Sequence, residues 1–253
     1  MFRCLTTILC LAIPTFFTGS WCQFAEGVPV PTVIFSENFD GGLPGSGFVT
    51  GGVGVVTGTG GAARLSNGGN NFDYYTSASF GGELFTVEAD VNQINGNAGG
   101  TANGLLIGNR AFVFFGDHPG GAFNILQVDP ASATVTGTTL GNTNMGYTPA
   151  QGTTQHFEID VDPFLNLFNI TVTNTGGPGT FNWTQLDPGF VAGGVGFFNW
   201  SDPHVADYDN LEVIALREPP EAAAVPEPAT WMLLLSGLPA LMRALGRRHM
   251  SAA

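Results

Sequence analysis

The run Glu158-Ile-Asp160-Val-Asp162 places carboxylates at every second position. In an extended strand alternate side chains share a face, with successive ones roughly 6.5 to 7 Å apart. Closely spaced carboxyl groups are the working parts of glycoside hydrolysis. Retaining enzymes hold a nucleophile and an acid/base about 5 to 5.5 Å apart. The competing reading is an ordinary solvent-facing strand with acidic residues on its wet side. Asp162 precedes Pro163, so it stands at a turn, and its arm is short for an acid/base.

A second concentration of oxygen ligands lies in Ser201-Asp202-Pro-His204-Val-Ala-Asp207-Tyr-Asp209-Asn210. Calcium takes roughly six to eight oxygens, many of them from carboxylates and loop carbonyls. Asp202, Asp207 and Asp209, completed by Glu37 or Asp40 from the first strand, make a structural calcium the one cofactor this chain suggests. No EF-hand spacing is present, and His118, His156 and His204 are too scattered for a zinc set. Sugar recognition needs aromatic platforms beside polar groups, and Phe-Asn-Trp occurs at Phe181 to Trp183 and again at Phe198 to Trp200. In each case Phe and Trp share a strand face, where burial of the pair is the commoner outcome. Trp200 adjoins the acidic loop and is the better platform, with Asn199 and Asp202 as hydrogen-bond partners. The chain has no Gly-x-Ser-x-Gly elbow and no lysine, which removes phosphate-loop and Schiff-base chemistry.

The elements that must position these residues are strands. Phe85, Val87, Ala89 and Val91 alternate with Thr86, Glu88, Asp90 and Asn92, a period of two. Phe157, Ile159 and Val161 repeat it, and the pattern resumes after Asp162-Pro163 as a hairpin. A phase change from Leu165 and Leu167 to Phe168, Ile170 and Val172 predicts a β-bulge between Leu167 and Phe168. Further strands are predicted over 33–39, 53–57, 62–65, 74–80, 105–107, 111–115, 123–128, 180–184, 195–200 and 206–214, punctuated by Gly, Asn and Pro. The body contains no convincing amphipathic helix and no fixed-period repeat. An all-β sandwich follows.

Composition narrows the partners. The chain carries a net charge of −13, and between Gly27 and Ala224 its only cations besides histidine are Arg64, Arg110 and Arg217. Such a surface repels phosphate backbones and excludes nucleic acid as a partner. Glycine is abundant at 37 residues, but 21 phenylalanines argue for a packed core.

The two ends read as addresses. Arg3, the apolar Leu5 to Phe17 and the small residues Thr18-Gly19-Ser20 have the layout of a secretory signal peptide, handled by the Sec translocon, within residues 1–25. Cys4, Cys10 and Cys22 all fall in this leader, so the mature body has no disulfide or cysteine nucleophile. At the other end come Pro226-Glu227-Pro228, an apolar stretch from Trp231 to Leu245 and the basic Arg247-Arg248. A full bilayer span needs about 20 apolar residues. This run is shorter and is interrupted by Pro239 and Arg243. The three-part tail over 226–253 resembles the PEP-CTERM sorting signal of Gram-negative surface proteins. That resemblance implies recognition by a membrane-embedded transpeptidase of the exosortase type and an exopolysaccharide setting. Residues 218–225, rich in Pro, Ala and Glu, form a stiff linker before it.

The opening Phe35-Ser-Glu-Asn-Phe39-Asp and the closing Ala206-Asp-Tyr-Asp-Asn-Leu-Glu-Val213 bracket a body over 26–217 that resembles concanavalin A-like jelly rolls, including laminin-G-like modules. The resemblance implies a jelly-roll sandwich of two antiparallel sheets with the first and last strands side by side, flanked by a signal helix and a C-terminal hydrophobic helix. The acidic string is similar to the Glu-x-Asp-x-(x)-Glu strand of laminarinase-type glucanases on that fold. Carried over, Glu158 would be the nucleophile, Asp160 its helper and Asp162 a substitute for the acid/base glutamate. The expectation is an exported, non-catalytic structural or polysaccharide-binding protein of the envelope or matrix. A glycoside hydrolase and an inert adhesive spacer are the alternatives.

Overall fold

Every described element is a strand or a turn, as the period-two patterning requires. The computed structural model describes residues 30–95, 102–115, 120–137, 140–200 and 205–217. The expected leader, linker and sorting tail, with their helices, lie outside the described residues. Among the described residues no helix is long and apolar enough to cross a membrane.

The strands are β1 (Val30–Glu37), β2 (Phe48–Thr59), β3 (Ala62–Thr76), β4 (Phe85–Asn95), β5 (Ala102–Ile107), β6 (Arg110–Phe115) and β7 (Ala122–Asp129). There follow β8 (Thr134–Val135), β9 (Gly141–Asn144), β10 (Thr154–Asp162), β11 (Leu167–Asn174), β12 (Thr180–Leu186), β13 (Val195–Asn199) and β14 (Val205–Arg217). Hydrogen bonding runs through β12-β11-β10-β4-β14-β3-β13-β5-β6-β7-β8, with β1 beside β14, β2 beside β3 and β9 beside β7. All these pairs are antiparallel. The first and last strands do lie side by side, with Val33 opposite Ile214.

The continuous ladder folds into two layers because β3 turns a corner. Its Ala63 to Ser66 pair with β14, whereas Phe72 to Tyr75 pair with β13. The intervening Asn67-Gly-Gly-Asn-Asn71 reads locally as a turn between two strands. It is instead the bend of one long strand, and a register shift in β2 between Gly52 and Gly54 faces it. Across the layers, Phe112 stands 5.0 Å from Phe168, Phe114 5.9 Å from Phe157 and Phe197 4.5 Å from Tyr208, centroid to centroid. These strands are not ladder neighbours, so the contacts define a core between facing sheets. The alternating Val87, Ala89, Val91, Phe157, Ile159, Val161, Phe168 and Ile170 form one wall of it. Each large side chain so buried stabilises the fold by about 1.5–3 kcal/mol before chain entropy is subtracted.

The predicted bulge in the β10–β11 hairpin does not form. Val161 faces Phe168 and Asp162 faces Leu167 in unbroken register. Phe164 and Leu165 lie in the turn, 69% and 63% exposed, and Asn166 takes a left-handed φ of 54°. The apparent change of phase came from counting a turn leucine as a strand residue.

The second layer is buried on both faces. β5 and β13 are buried at every residue, because Ala102, Leu106, Ala111, Val113, Leu126, Val128 and Phe198 form a second apolar cluster on the side away from the core. The β7–β8 hairpin tip closes over this face: Ala133 joins the cluster and packs against Gly52, while the Pro130 carbonyl lies against Gly51. Any Cβ at Gly51 or Gly52 would overlap these groups. The glycines of β2 therefore permit a backbone approach that no other residue allows.

Candidate functional site

Strand register sets Glu158 opposite Glu88, and Glu88 opposite Glu212, in one row across β10, β4 and β14. Like charges directly opposite are destabilising. Burial raises the Glu88 pKa above its usual value; His156 pulls it down, and Glu158, Glu212 and Asp160 push it up further. One strand position on, His156 Nδ1 meets Asp90 Oδ1 at 2.9 Å, and the Asn210 amide donates to Asp90 Oδ2 at 2.8 Å. The hydrogen bond with Asp90 raises the His156 pKa, and the same contact lowers that of Asp90. With the imidazole raised and the carboxylate lowered, the pair contributes fully between about pH 4 and 6.5. The contribution is lost as pH rises through the folded histidine value or falls through the folded aspartate value.

The suspected hydrolytic string is occupied with structural bonds. Asp160 accepts a hydrogen bond from the Thr86 hydroxyl at 2.8 Å. Asp162 Oδ1 accepts the N–H groups of Phe164 and Leu165, both at 2.9 Å, and so caps the hairpin turn. Glu158 is exposed on the same outer face.

The described residues expected around calcium each hold hydrogen bonds within the fold. Asp207 accepts two hydrogen bonds from Arg64, at 2.6 and 2.8 Å. Glu37 accepts the Phe39 N–H at 2.9 Å. Asp209, half-buried and with its pKa raised chiefly by burial, accepts the Asn210 N–H at 2.7 Å. Asp40 accepts the Asn38 amide at 2.9 Å. Asp202, like His204, lies outside the described residues. Among the described residues no three His, Cys, Asp or Glu side chains come together as metal ligands.

The structure separates the members of the aromatic site. Trp200 is half-buried against the second apolar cluster, its ring 6.0 Å from that of Phe115, and its backbone N–H donates to the Ala102 carbonyl at 2.9 Å. Tyr75 borders the same cluster and is likewise half-buried. Asn199 points the other way. It is fully buried toward the core, donating to the Leu65 carbonyl at 3.3 Å and accepting from the Tyr208 hydroxyl. Strand alternation dictates this, since neighbours in sequence face opposite sides. Asn199 is thus removed as a polar partner for a ligand on Trp200. Trp183 borders the core, 6.1 Å from Phe123.

Sequence reasoning missed Asp73. It is fully buried in β3, and among the described residues no donor meets its carboxylate oxygens in good hydrogen-bond geometry, the Gly51 N–H being near but poorly aligned. Burial pushes its pKa up to about 7 against the pull of the Gly51 N–H, and the Asp129 carboxylate adds to the rise. The available signal was one acid inside the aromatic run Phe72-Asp73-Tyr74-Tyr75. Alternation made it a solvent-facing residue, and only the covering hairpin makes it buried.

No protein-family model and no curated protein sequence matches the chain. Solved structures do. A seed lectin of Lotus tetragonolobus has 13% identity and a TM-score of 0.50, covering 74% of this chain and 100% of the lectin. Lectin II from Ulex europaeus has 11% identity and a TM-score of 0.51, covering 72% of this chain and 98% of the lectin. The CBM2 module of the evolved Dit protein of Lactobacillus casei BL23 phage J-1 has 11% identity and a TM-score of 0.52, covering 75% and 98%. At these identities the likeness establishes architecture alone: the chain folds as a lectin-type, all-β antiparallel jelly roll.

Proposed function

We propose that this chain is an exported, non-catalytic glycan-binding protein of a bacterial envelope or exopolysaccharide matrix. The observation that carries the reading is the half-exposed pair Trp200 and Phe115 at the edge of an otherwise buried sheet face. An aromatic ring with one wet side offers apolar area to the C–H face of a sugar. The lectin-type fold and the lectins among its structural neighbours support the reading. Asp202, close in sequence, would supply hydrogen bonds. A catalytic role is disfavoured because Asp162 already caps a turn and Asp160 already bonds Thr86. Trp200→Ala is expected to weaken co-sedimentation of the purified protein with extracellular polysaccharide at least tenfold. No reducing ends should appear with wild type or with Glu158→Gln. Hydrolysis abolished by Glu158→Gln would instead establish the enzyme.

Export and sorting form the other half of the proposal and rest on the two terminal signals. A Sec-type leader would be removed first, and an exosortase-type transpeptidase would then cut near Pro226-Glu227-Pro228, with Arg247 and Arg248 held cytoplasmic. Intact mass of protein recovered from medium and envelope should lack both terminal segments. An uncut chain recovered from the cell interior would contradict the assignment.

A further inference from the structure

Beneath the β7–β8 hairpin, several buried oxygen acceptors share one small region without a well-aligned donor. Asp73 Oδ1 and the Pro130 carbonyl oxygen both lie against the Cα of Gly51, close enough that a single Cβ there would overlap both. Both Asp73 oxygens are buried and without a well-aligned donor. Asn71, placed by strand alternation on the same face, has its own Oδ1 buried and without a partner. Asp129, at the base of the hairpin, adds a second negative charge while holding the tip through Ala131 N–H at 3.2 Å and Ser132 Oγ at 2.9 Å. A buried carboxylate with neither a well-aligned donor nor a cation is strongly unfavourable. A proton on Asp73 could bridge one pair of oxygens, such as Asp73 and Pro130. It would leave the second Asp73 oxygen and Asn71 Oδ1 unmatched.

We infer that Asp73, the Pro130 carbonyl and Asn71 Oδ1 form a binding site for a hard divalent cation of the calcium type, roofed by the Pro130–Ala133 hairpin tip. The donor set fits: a carboxylate able to bind through both oxygens, a backbone carbonyl and an amide oxygen, with water completing the shell. The ion would tie β7–β8 to β2 and β3 across the outer face of the second layer. This site is distinct from the acidic stretch around Asp207 and Asp209, and it does not depend on glycan binding.

The test is thermal unfolding of the purified full-length protein at pH 8, stripped with chelator and titrated with calcium chloride. With the millimolar to sub-millimolar affinity of extracellular calcium sites, 10 mM calcium should raise the midpoint by about 3–10 °C. Asp73→Asn should abolish the rise, and Asp209→Asn should retain it. An independent reading uses terbium on the wild type. Terbium emission sensitised by Tyr75, two residues from Asp73, should fall as calcium displaces the ion and be lost in Tyr75→Phe, which keeps the test independent of whether Asp73→Asn folds. No calcium-dependent rise in the wild type, an equal rise in Asp73→Asn, or calcium-insensitive terbium emission would overturn the assignment.

Discussion

In chelator, Asp73→Asn is expected to remove a pH dependence of stability worth about 4 kcal/mol, as a rise of the Asp73 pKa from 3.8 to about 7 implies. A carboxyl group whose pKa is raised by folding binds its proton more tightly in the native state. The native state therefore holds the extra proton between the two values, and stability falls as pH rises from about 4 to about 7. Above the folded value the buried charge is fully present and the loss is complete. The variant carries no such charge. Urea unfolding at pH 4.5 and pH 8 should show the wild type weakening relative to Asp73→Asn, with the gap opening toward high pH. Groups facing Asp73 include the Asp129 carboxylate from the hairpin and the Tyr75 phenol from its own strand. A parallel pH profile for both proteins would mean that Asp73 is already compensated.

The other large effect concerns Arg110 and Asp187, both 1% exposed and paired through Nε and Nη2, the latter at 3.0 Å. Asp187 also accepts the Gly189 N–H at 3.0 Å. Asn109, next in sequence to Arg110, donates to the Gly189 carbonyl at 3.1 Å and accepts the Val191 N–H at 2.8 Å. Together these bonds clasp the β5–β6 turn to the segment joining β12 and β13. Asp187→Ala would leave a buried guanidinium without its anion, so a loss of about 3–5 kcal/mol is expected from chemical denaturation. Replacing both residues with Met and Leu should recover most of it, because the penalty belongs to the orphaned charge. If the single and double variants are equally weak, the pair is more than compensation for its own burial.

Local alternation made much of the fold legible. The Phe85 to Val91 and Phe157 to Val161 runs have the burial their period demands, and the opening and closing strands meet as their patterns suggest. What local reading could not carry was anything set by distant partners. The Asn67 to Asn71 stretch has turn composition, yet β14 and β13 bind its two flanks and make it a bend in one strand. The short β8 and β9 carry no apolar periodicity and exist because they extend the edge at β7. The same holds at the sites. Asp162 was placed correctly at a turn, and that placement is what engages it as a cap. Asn199 and Trp200 look like one recognition pair in the sequence, but a strand sends neighbours to opposite faces. Arg110 and Asp187 are 77 residues apart, and Asp73 is covered by a hairpin more than fifty residues later, so neither environment is written near the residue concerned.

The claim that ties these observations together is that glycan is bound at the aromatic edge of the second layer, without hydrolysis. Nuclear magnetic resonance of the isotopically labelled protein with soluble polysaccharide fragments tests it directly. The account predicts shifts concentrated at the Trp200 indole and the Phe115 and Tyr75 rings, with Trp183 and the row formed by Glu88, Glu158 and Glu212 unchanged. Shifts centred on Glu158 and its neighbours, with the Trp200 indole silent, would contradict it.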